Sequence, residues 1–192
     1  MKIWRINKMA WLHWQIATNN PNQPSPIEWD DFAGKLLLVL PKRNVQKIEL
    51  ASFPAKGHRR LRWLLPNVDP EYCSQDEAVK VAKKLAFLML NSQGSSIPQN
   101  LEEDFLVLGF RKEVTKCPLC KKEINITDFD RNGNTDLESL QIDHEIPLSQ
   151  QLGSHNADNV FWIHRRCNYI KGEQTTKDAL MSLVELIRNH LV

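Results

Sequence analysis

Two pairs of candidate metal ligands lie in the C-terminal half of the chain. Cys117 and Cys120 are separated by two residues, and His164 and Cys167 have the same separation. Two thiolates on one tight turn have the geometry that tetrahedral zinc requires, and the second pair completes a set of three cysteines and one histidine. The pattern predicts a structural zinc site. Redox-active or merely buried cysteines are the alternative, and Cys73 is left over as a buried residue or free thiol.

An acid and a histidine stand side by side between these two pairs. Asp143 and His144 lie in an apolar-flanked stretch, and Asn159 and Asn168 follow at longer intervals. The order Cys-x-x-Cys, Asp-His-x-x-Pro-Leu, Asp-Asn-Val and Cys-Asn-Tyr-Ile-Lys-Gly resembles the HNH (ββα-metal) endonuclease family with a structural zinc site, and restriction endonucleases in particular. The resemblance covers residues 116–177, which is the C-terminal portion of the chain.

The resemblance implies a β-hairpin followed by a helix, with one catalytic metal ion between strand and helix. Asp143 and Asn168 match the family's metal ligands, and their hard oxygen atoms suit Mg²⁺ or Mn²⁺. His144 matches the general base that takes a proton from the attacking water. Asn159 matches the residue whose amide holds the hairpin, and with it His144, in register. The implied activity is hydrolysis of phosphodiester bonds in double-stranded DNA, leaving a 5′-phosphate.

Two positions depart from the family pattern. Asn168 stands where the family name has a histidine, but it offers an equivalent neutral ligand. His164 stands where such domains usually carry a cysteine, which leaves open that it serves the active site instead. Its spacing to Cys167 favours zinc.

Candidate DNA contacts are the basic residues near position 60 and at the start of the metal-bearing helix. The net charge of +2 is too small to indicate a nucleic-acid partner by itself, so local clusters carry this prediction. A solvated loop or strand face explains the first cluster equally well. The candidates are Lys56, Arg59, Arg60, Arg62, Arg165, Arg166 and Lys171.

The pattern of apolar residues predicts an α+β protein with two domains. Residues 1–110 contain five of the six tryptophans and short apolar runs such as 35–40, which predict a β-rich DNA-recognition domain with one long helix. That helix begins at Ser74, the first residue of a capping-box pattern. Residues 111–192 form the predicted nuclease domain. Its last helix is expected at 176–191, with a buried stripe of Leu180, Leu183, Val184, Ile187 and Leu191.

A restriction-type endonuclease is the function that these features favour, because a bare nicking domain does not need an N-terminal domain of this size. The same chemistry would serve a homing or phage-type nuclease. A non-catalytic zinc module that binds nucleic acid or protein is the alternative from another class, and it would not need Asp143 beside His144. Cutting both strands requires two active sites or two sequential nicks, so a homodimer is expected. We also expect a cytoplasmic protein without a membrane span or secretory signal.

Overall fold

The computed structural model describes residues 27–54 and 61–191. Within these ranges the helices are α1 (Ile27–Leu36), α2 (Lys42–Ser52), α3 (Gln75–Leu90), α4 (Gln99–Val107), α5 (Arg165–Lys171) and α6 (Thr176–His190). Two strands, β1 (Leu140–His144) and β2 (Val160–His164), and two short 3₁₀ helices, Arg62–Leu64 and Ile126–Asp130, complete the secondary structure. The α+β class is therefore correct. The predicted contributions of Trp4, Trp11 and Trp14 lie outside the described residues.

The N-terminal part is helical, so the prediction of a β-rich domain is wrong for its described residues. The apolar run at 35–40 forms the end of α1 and the turn after it. Leu36 and Leu40 are buried, whereas Leu38 and Val39 between them are exposed. The buried positions are thus four residues apart, which is helical rather than alternating spacing. A short apolar run contains too few residues for its period to separate the two structures.

Helix α3 is the central element of the core, and its prediction is confirmed. The side chain of Ser74 accepts a hydrogen bond from the backbone N–H of Glu77, which satisfies one of the free donors at the helix N-terminus. Buried residues recur along the helix at helical spacing, among them Ala78, Val81, Ala82, Leu85 and Met89. They pack α3 between α2 and the hairpin of the C-terminal part.

The C-terminal part contains the hairpin and helix that the resemblance implied. Strands β1 and β2 pair antiparallel, with Asp143 opposite Phe161 and His144 opposite Val160. Helix α5 begins directly after β2 and packs against both strands. Trp162 of β2 donates its indole N–H to the carbonyl of Leu85 in α3, at 3.0 Å. The hairpin is therefore fastened to the N-terminal helices by a buried hydrogen bond.

The last helix has the predicted extent, but its predicted buried stripe is wrong. Only Thr176 and Ala179, near its N-terminus, are buried. Leu180, Val184 and Ile187 are 39%, 66% and 55% exposed. An amphipathic pattern shows which side of a helix is apolar, but it does not show whether the chain itself covers that side.

One hydrophobic core extends from α1 and α2 through α3 to the hairpin and α5. Backbone hydrogen bonds also cross the proposed division at residue 110. Gln93 N–H bonds the carbonyl of Ile124, and Thr115 N–H bonds that of Asn91. The two-domain division therefore stays a prediction about folding units. No helix in the described ranges is long and apolar enough to cross a membrane.

Candidate active site and zinc cluster

The four predicted zinc ligands meet at one point. Cys117, Cys120, His164 and Cys167 each place one ligand atom within 4.8 Å of all the others. His164 is the last residue of β2 and directs its Nδ1 toward Cys120 Sγ at 3.5 Å, so it belongs to this cluster. Three soft sulfur atoms and an imidazole nitrogen, gathered at such distances, form the donor set of a tetrahedral structural zinc site.

The thiols of this cluster crowd one another. Burial, and then the neighbouring Cys117, raise the pKa of Cys167 to about 12. Three thiolates in one buried place repel each other, and a cation between them removes that repulsion. The donor set and its crowding therefore fit a zinc ion. By contrast, Cys73 is buried, and among the described residues it belongs to no group of three or more metal-ligating side chains.

Asp143 stands near the end of β1 against helix α5. Its carboxylate Oδ2 lies 2.9 Å from the ammonium of Lys171, whose side chain is completely buried. The two charged atoms touch, but their alignment is not that of a hydrogen bond, so both retain unused hydrogen-bonding capacity. A buried, unsatisfied carboxylate oxygen is a suitable ligand for a hard divalent cation. In the structure the ammonium of Lys171 balances its charge.

The same face of the strand meets the second predicted metal ligand. Asn168 donates a hydrogen bond from its side-chain amide to Gln141 Oε1 at 2.9 Å. Gln141 and Asp143 point to one side of β1 because they are two residues apart. Asn168 and Lys171 share one side of α5 because they are three residues apart. Strand and helix thus bring both candidate ligands to one interface.

His144 is held by a second histidine. Its Nε2 lies 3.0 Å from Nδ1 of His155, and Nε2 of His155 lies 3.2 Å from the carbonyl oxygen of Ser52 at the end of α2. Burial, followed by the charges of Arg62 and Lys171, lowers the pKa of His144 to about 4. A neutral imidazole at ordinary pH can accept a proton, which is the requirement for a general base.

The contact of His155 with His144 was not predicted, because no spacing in the sequence relates His155 to a partner. The loop 145–159 brings it to His144, and Ser52 is 103 residues away in the chain. No local pattern marks such a contact. A histidine inside the loop that follows the Asp-His pair was the only available signal.

Asn159 ties the two ends of the hairpin loop together. Its side-chain oxygen accepts the backbone N–H of Ile146 at 2.7 Å. Its amide group donates to the carbonyls of Ile146 and Ser154, at 2.9 and 2.8 Å. Three hydrogen bonds from one buried amide fix the backbone just after His144, which is the geometry that a positioning residue needs.

The candidate DNA contacts fall into three groups. Lys56, Arg59 and Arg60 lie outside the described residues. The side chains of Arg62 and Lys171 are buried in ion pairs with Glu71 and Asp143, which argues against a contact with a flanking phosphate. Neither buried position could be recognised from the local charge pattern.

Arg165 and Arg166 lie at the start of α5, next to the zinc cluster. Arg165 donates to the hydroxyl of Tyr169 at 2.8 Å and lies over its ring. Arg166 forms an ion pair with Glu138. Both guanidinium groups are partly exposed and so remain candidates for phosphate contact.

Comparison with known proteins agrees with this geometry. Residues 117–174 match the family "HNH endonuclease". A solved structure described as the crystal structure of a type II restriction endonuclease is similar over 78% of this chain and 78% of its own, with a TM-score of 0.60 and 22% identity. At that identity the similarity shows the fold. No curated protein matches the chain.

A ββα hairpin with an Asp-His pair, joined to a zinc-type cluster, defines a metal-dependent nuclease. Residues 117–174 are an HNH endonuclease domain, the domain type that uses a divalent metal to hydrolyse phosphodiester bonds in nucleic acid.

Proposed function

We propose that this protein is a restriction-type endonuclease that cleaves double-stranded DNA with one catalytic Mg²⁺ or Mn²⁺ and one structural Zn²⁺. The observation that supports the proposal is the packing of α5 against β1, where Asn168 bonds Gln141 and Lys171 contacts Asp143, in a segment that also contains the four-ligand cluster. The restriction role is supported by the similar fold of a type II restriction endonuclease across both parts of the chain.

His144 acts as the general base in this proposal. Its neutral ring takes a proton from a water molecule that attacks the scissile phosphorus, and the bond to the 3′ oxygen breaks. Such a base accelerates the reaction by about 10²–10⁴-fold. Asn159 holds the backbone after His144, so the ring keeps its direction as the water is deprotonated.

Asp143 and Asn168 are the residues that would hold the catalytic cation, through a carboxylate oxygen and an amide oxygen. The cation supplies positive charge for the reacting phosphate and the departing oxygen. For this role the amide oxygen of Asn168 must face the cation. In the structure the amide nitrogen of Asn168 donates a hydrogen bond to Gln141, so the amide group would have to rotate. Oxygen and nitrogen of an asparagine amide exchange places by a simple rotation of the group.

The N-terminal part, residues 1–110, is the proposed DNA-recognition region. Pro54 and Leu61, which flank the basic strip, form an antiparallel bridge. Ser52 lies two residues before this bridge and contacts His155. Lys56, Arg59 and Arg60 belong to this region of the sequence, and we propose them as phosphate contacts because of their charge.

A homodimer completes the proposal. Each chain supplies one hairpin with one Asp-His pair, so cutting two strands of opposite polarity in one encounter takes a second copy related by a two-fold axis. The exposed apolar face of α6 suits this contact. Two antiparallel copies of the helix, centred between Leu183 and Val184, would place Leu180 opposite Ile187 and cover each face with the other.

Plasmid cleavage tests the proposed activity. The purified protein would be incubated with modified and unmodified DNA in Mg²⁺, Mn²⁺ or EDTA, beside His144→Ala and the control His190→Ala. We expect discrete, metal-dependent fragments from the wild type and the control, because His190 is exposed on α6. His144→Ala should lower the rate at least about 10²-fold without loss of DNA affinity.

Three other results would contradict parts of the proposal. Equal cleavage by His144→Ala would remove His144 from the role of base. Degradation without discrete fragments would leave a nuclease but exclude a restriction-type enzyme. No cleavage of any DNA by folded, zinc-loaded protein would favour the non-catalytic binding module.

A further inference from the structure

His155 is a buried histidine that reaches polar partners on both sides of its ring. It is only 1% exposed. Its Nε2 faces the carbonyl oxygen of Ser52 at 3.2 Å, and its Nδ1 faces Nε2 of His144 at 3.0 Å. The three groups form a chain that runs from the end of α2 to the candidate base.

The partners of His155 determine where its proton resides. Burial, and then the charge of Arg62, lower its pKa well below the ordinary value, so the ring carries a single proton. The carbonyl of Ser52 can only accept a hydrogen bond, which requires the proton on Nε2 of His155. The Nδ1 atom of His155 then has a lone pair and can only accept.

The tautomer of His155 determines that of His144. An acceptor on His155 requires a donor on His144, so the proton of His144 resides on its Nε2. The other nitrogen, Nδ1 of His144, then has the free lone pair. With the opposite tautomers, a lone pair would face the Ser52 carbonyl inside the buried core, at a cost of roughly 1–3 kcal/mol for an unsatisfied polar group.

We propose that His155 is a positioning residue that holds the ring of His144 with its proton on Nε2 and its lone pair on Nδ1, ready to accept the proton of the attacking water. This inference rests on the proposed function only where it says that His144 deprotonates the attacking water. The tautomer of His144 is a property of the protein without substrate. The role is that of the group that orients a catalytic histidine through its second nitrogen.

The loop 145–159 is built to deliver His155 to this position. A Cβ atom at Gly153 would lie 2.0 Å from the carbonyl oxygen of Pro147, so no larger residue allows this close approach of the two backbone segments. Asn159 closes the loop from the other side through Ser154. Because Ser52 ends α2, the chain of hydrogen bonds also connects the base to the proposed recognition region.

The tautomer can be measured directly, without a substrate. Long-range ¹H–¹⁵N NMR spectra of the histidine rings distinguish protonated from unprotonated nitrogens. We expect His144 and His155 both to carry the proton on Nε2 in the wild-type protein. A proton on Nδ1 of His144 would overturn the proposal, whether or not the protein cleaves DNA. A wild type with the expected tautomers and no activity would contradict the proposed function alone.

Variants test the consequence for cleavage. His155→Leu removes the acceptor, whereas the side-chain oxygen of His155→Asn can take the place of Nδ1. We expect His155→Leu to lower single-turnover cleavage by about 10–100-fold with unchanged DNA affinity, and His155→Asn to recover most of the rate. Phe129→Leu, a change in the same core without contact to His144, is the control for lost packing.

These variants have two decisive outcomes. Loss of rate in His155→Leu, with recovery in His155→Asn and a normal rate for Phe129→Leu, supports positioning. Equal rates for all three variants would overturn it. If His155→Leu does not fold, the comparison of His155→Asn with the wild type, together with the spectra, still decides the matter.

Discussion

The side chain of Lys171 is completely buried, and Asp143 is its only ion-pair partner among the described residues. A buried ion pair gains little over apolar residues of the same size, but removing one partner is costly because the other charge is left alone. The pair is thus weak evidence for stability. The carboxylate of Asp143 thus lies where a divalent cation would compete with the ammonium of Lys171 for it.

Lys171→Met tests this view at the level of the residue. Without magnesium, we expect the variant to lose about 3–5 kcal/mol of unfolding free energy, because Asp143 stays buried without a counter-charge. Urea unfolding measures the change. Adding Mn²⁺ should restore more stability to Lys171→Met than to the wild type, since the metal meets an uncompensated carboxylate.

The matched control for Lys171→Met is the double variant with Asp143→Asn. It removes both charges, so it should be more stable than the single variant and should not respond to Mn²⁺. A single variant as stable as the wild type would show that Asp143 does not need Lys171 as a buried counter-charge.

At the level of the element, the zinc cluster connects three pieces of the fold that have little regular structure of their own. Cys117 and Cys120 lie in a turn before the hairpin, His164 ends β2, and Cys167 is in the first turn of α5. Helix α5 has only seven residues, which is too short to be stable alone. A zinc ion bound there would therefore supply much of the order in this segment, since structural zinc contributes roughly 10–16 kcal/mol in small domains.

Cys117→Ser is expected to lose zinc and to melt at a markedly lower temperature than the wild type. Metal analysis of the purified protein and thermal unfolding measure the two effects. Cys73→Ala is the matched control: it removes a buried cysteine outside the cluster and should keep its zinc. Unchanged melting of Cys117→Ser would contradict a structural role for zinc.

For the whole molecule, the outstanding feature is the apolar face of α6, formed by Leu180, Leu183, Val184, Ile187 and Leu191. Its first turn is anchored, because Glu145 at the end of the hairpin accepts hydrogen bonds from the backbone and hydroxyl of Thr176. Beyond that turn Leu180, Val184, Ile187 and Leu191 are exposed to solvent, and Leu183 is partly exposed. A continuous exposed apolar face on an ordered helix marks an interaction surface, and in the proposed homodimer a second copy would cover it.

Val184→Glu should convert the proposed dimer to a monomer, because it places a charge in the centre of the contact. Sedimentation analysis measures the mass of the variant, which should be that of a monomer. Plasmid assays measure the ratio of nicked to linear product, and this ratio should rise in the variant. Asn189→Glu adds the same charge on the opposite side of α6 and should change neither. A wild-type protein that sediments as a monomer both alone and on DNA would exclude the dimer.

Part of the fold and of the site was predictable from local patterns. The bounds of α3 and α6 follow from helical periodicity and capping residues, both of which act within a few residues. The convergence of Cys117, Cys120, His164 and Cys167 was also predicted, because two pairs of zinc ligands together supply the four ligands of one tetrahedral site. The Asp143–His144 pair was recognised because the two residues are adjacent in the sequence and therefore stay close together in any fold.

The sequence by itself therefore determined the chemistry of the centre: which side chains can bind metal, which can accept a proton, and the order in which they occur. Only the tertiary structure decided what surrounds them. It buried Lys171 against Asp143, turned the apolar run at 35–40 into a helix end, left the face of α6 open and brought His155 between Ser52 and His144. Ligand chemistry belongs to single residues and short spacings, whereas burial and long-range contacts depend on how the whole chain packs.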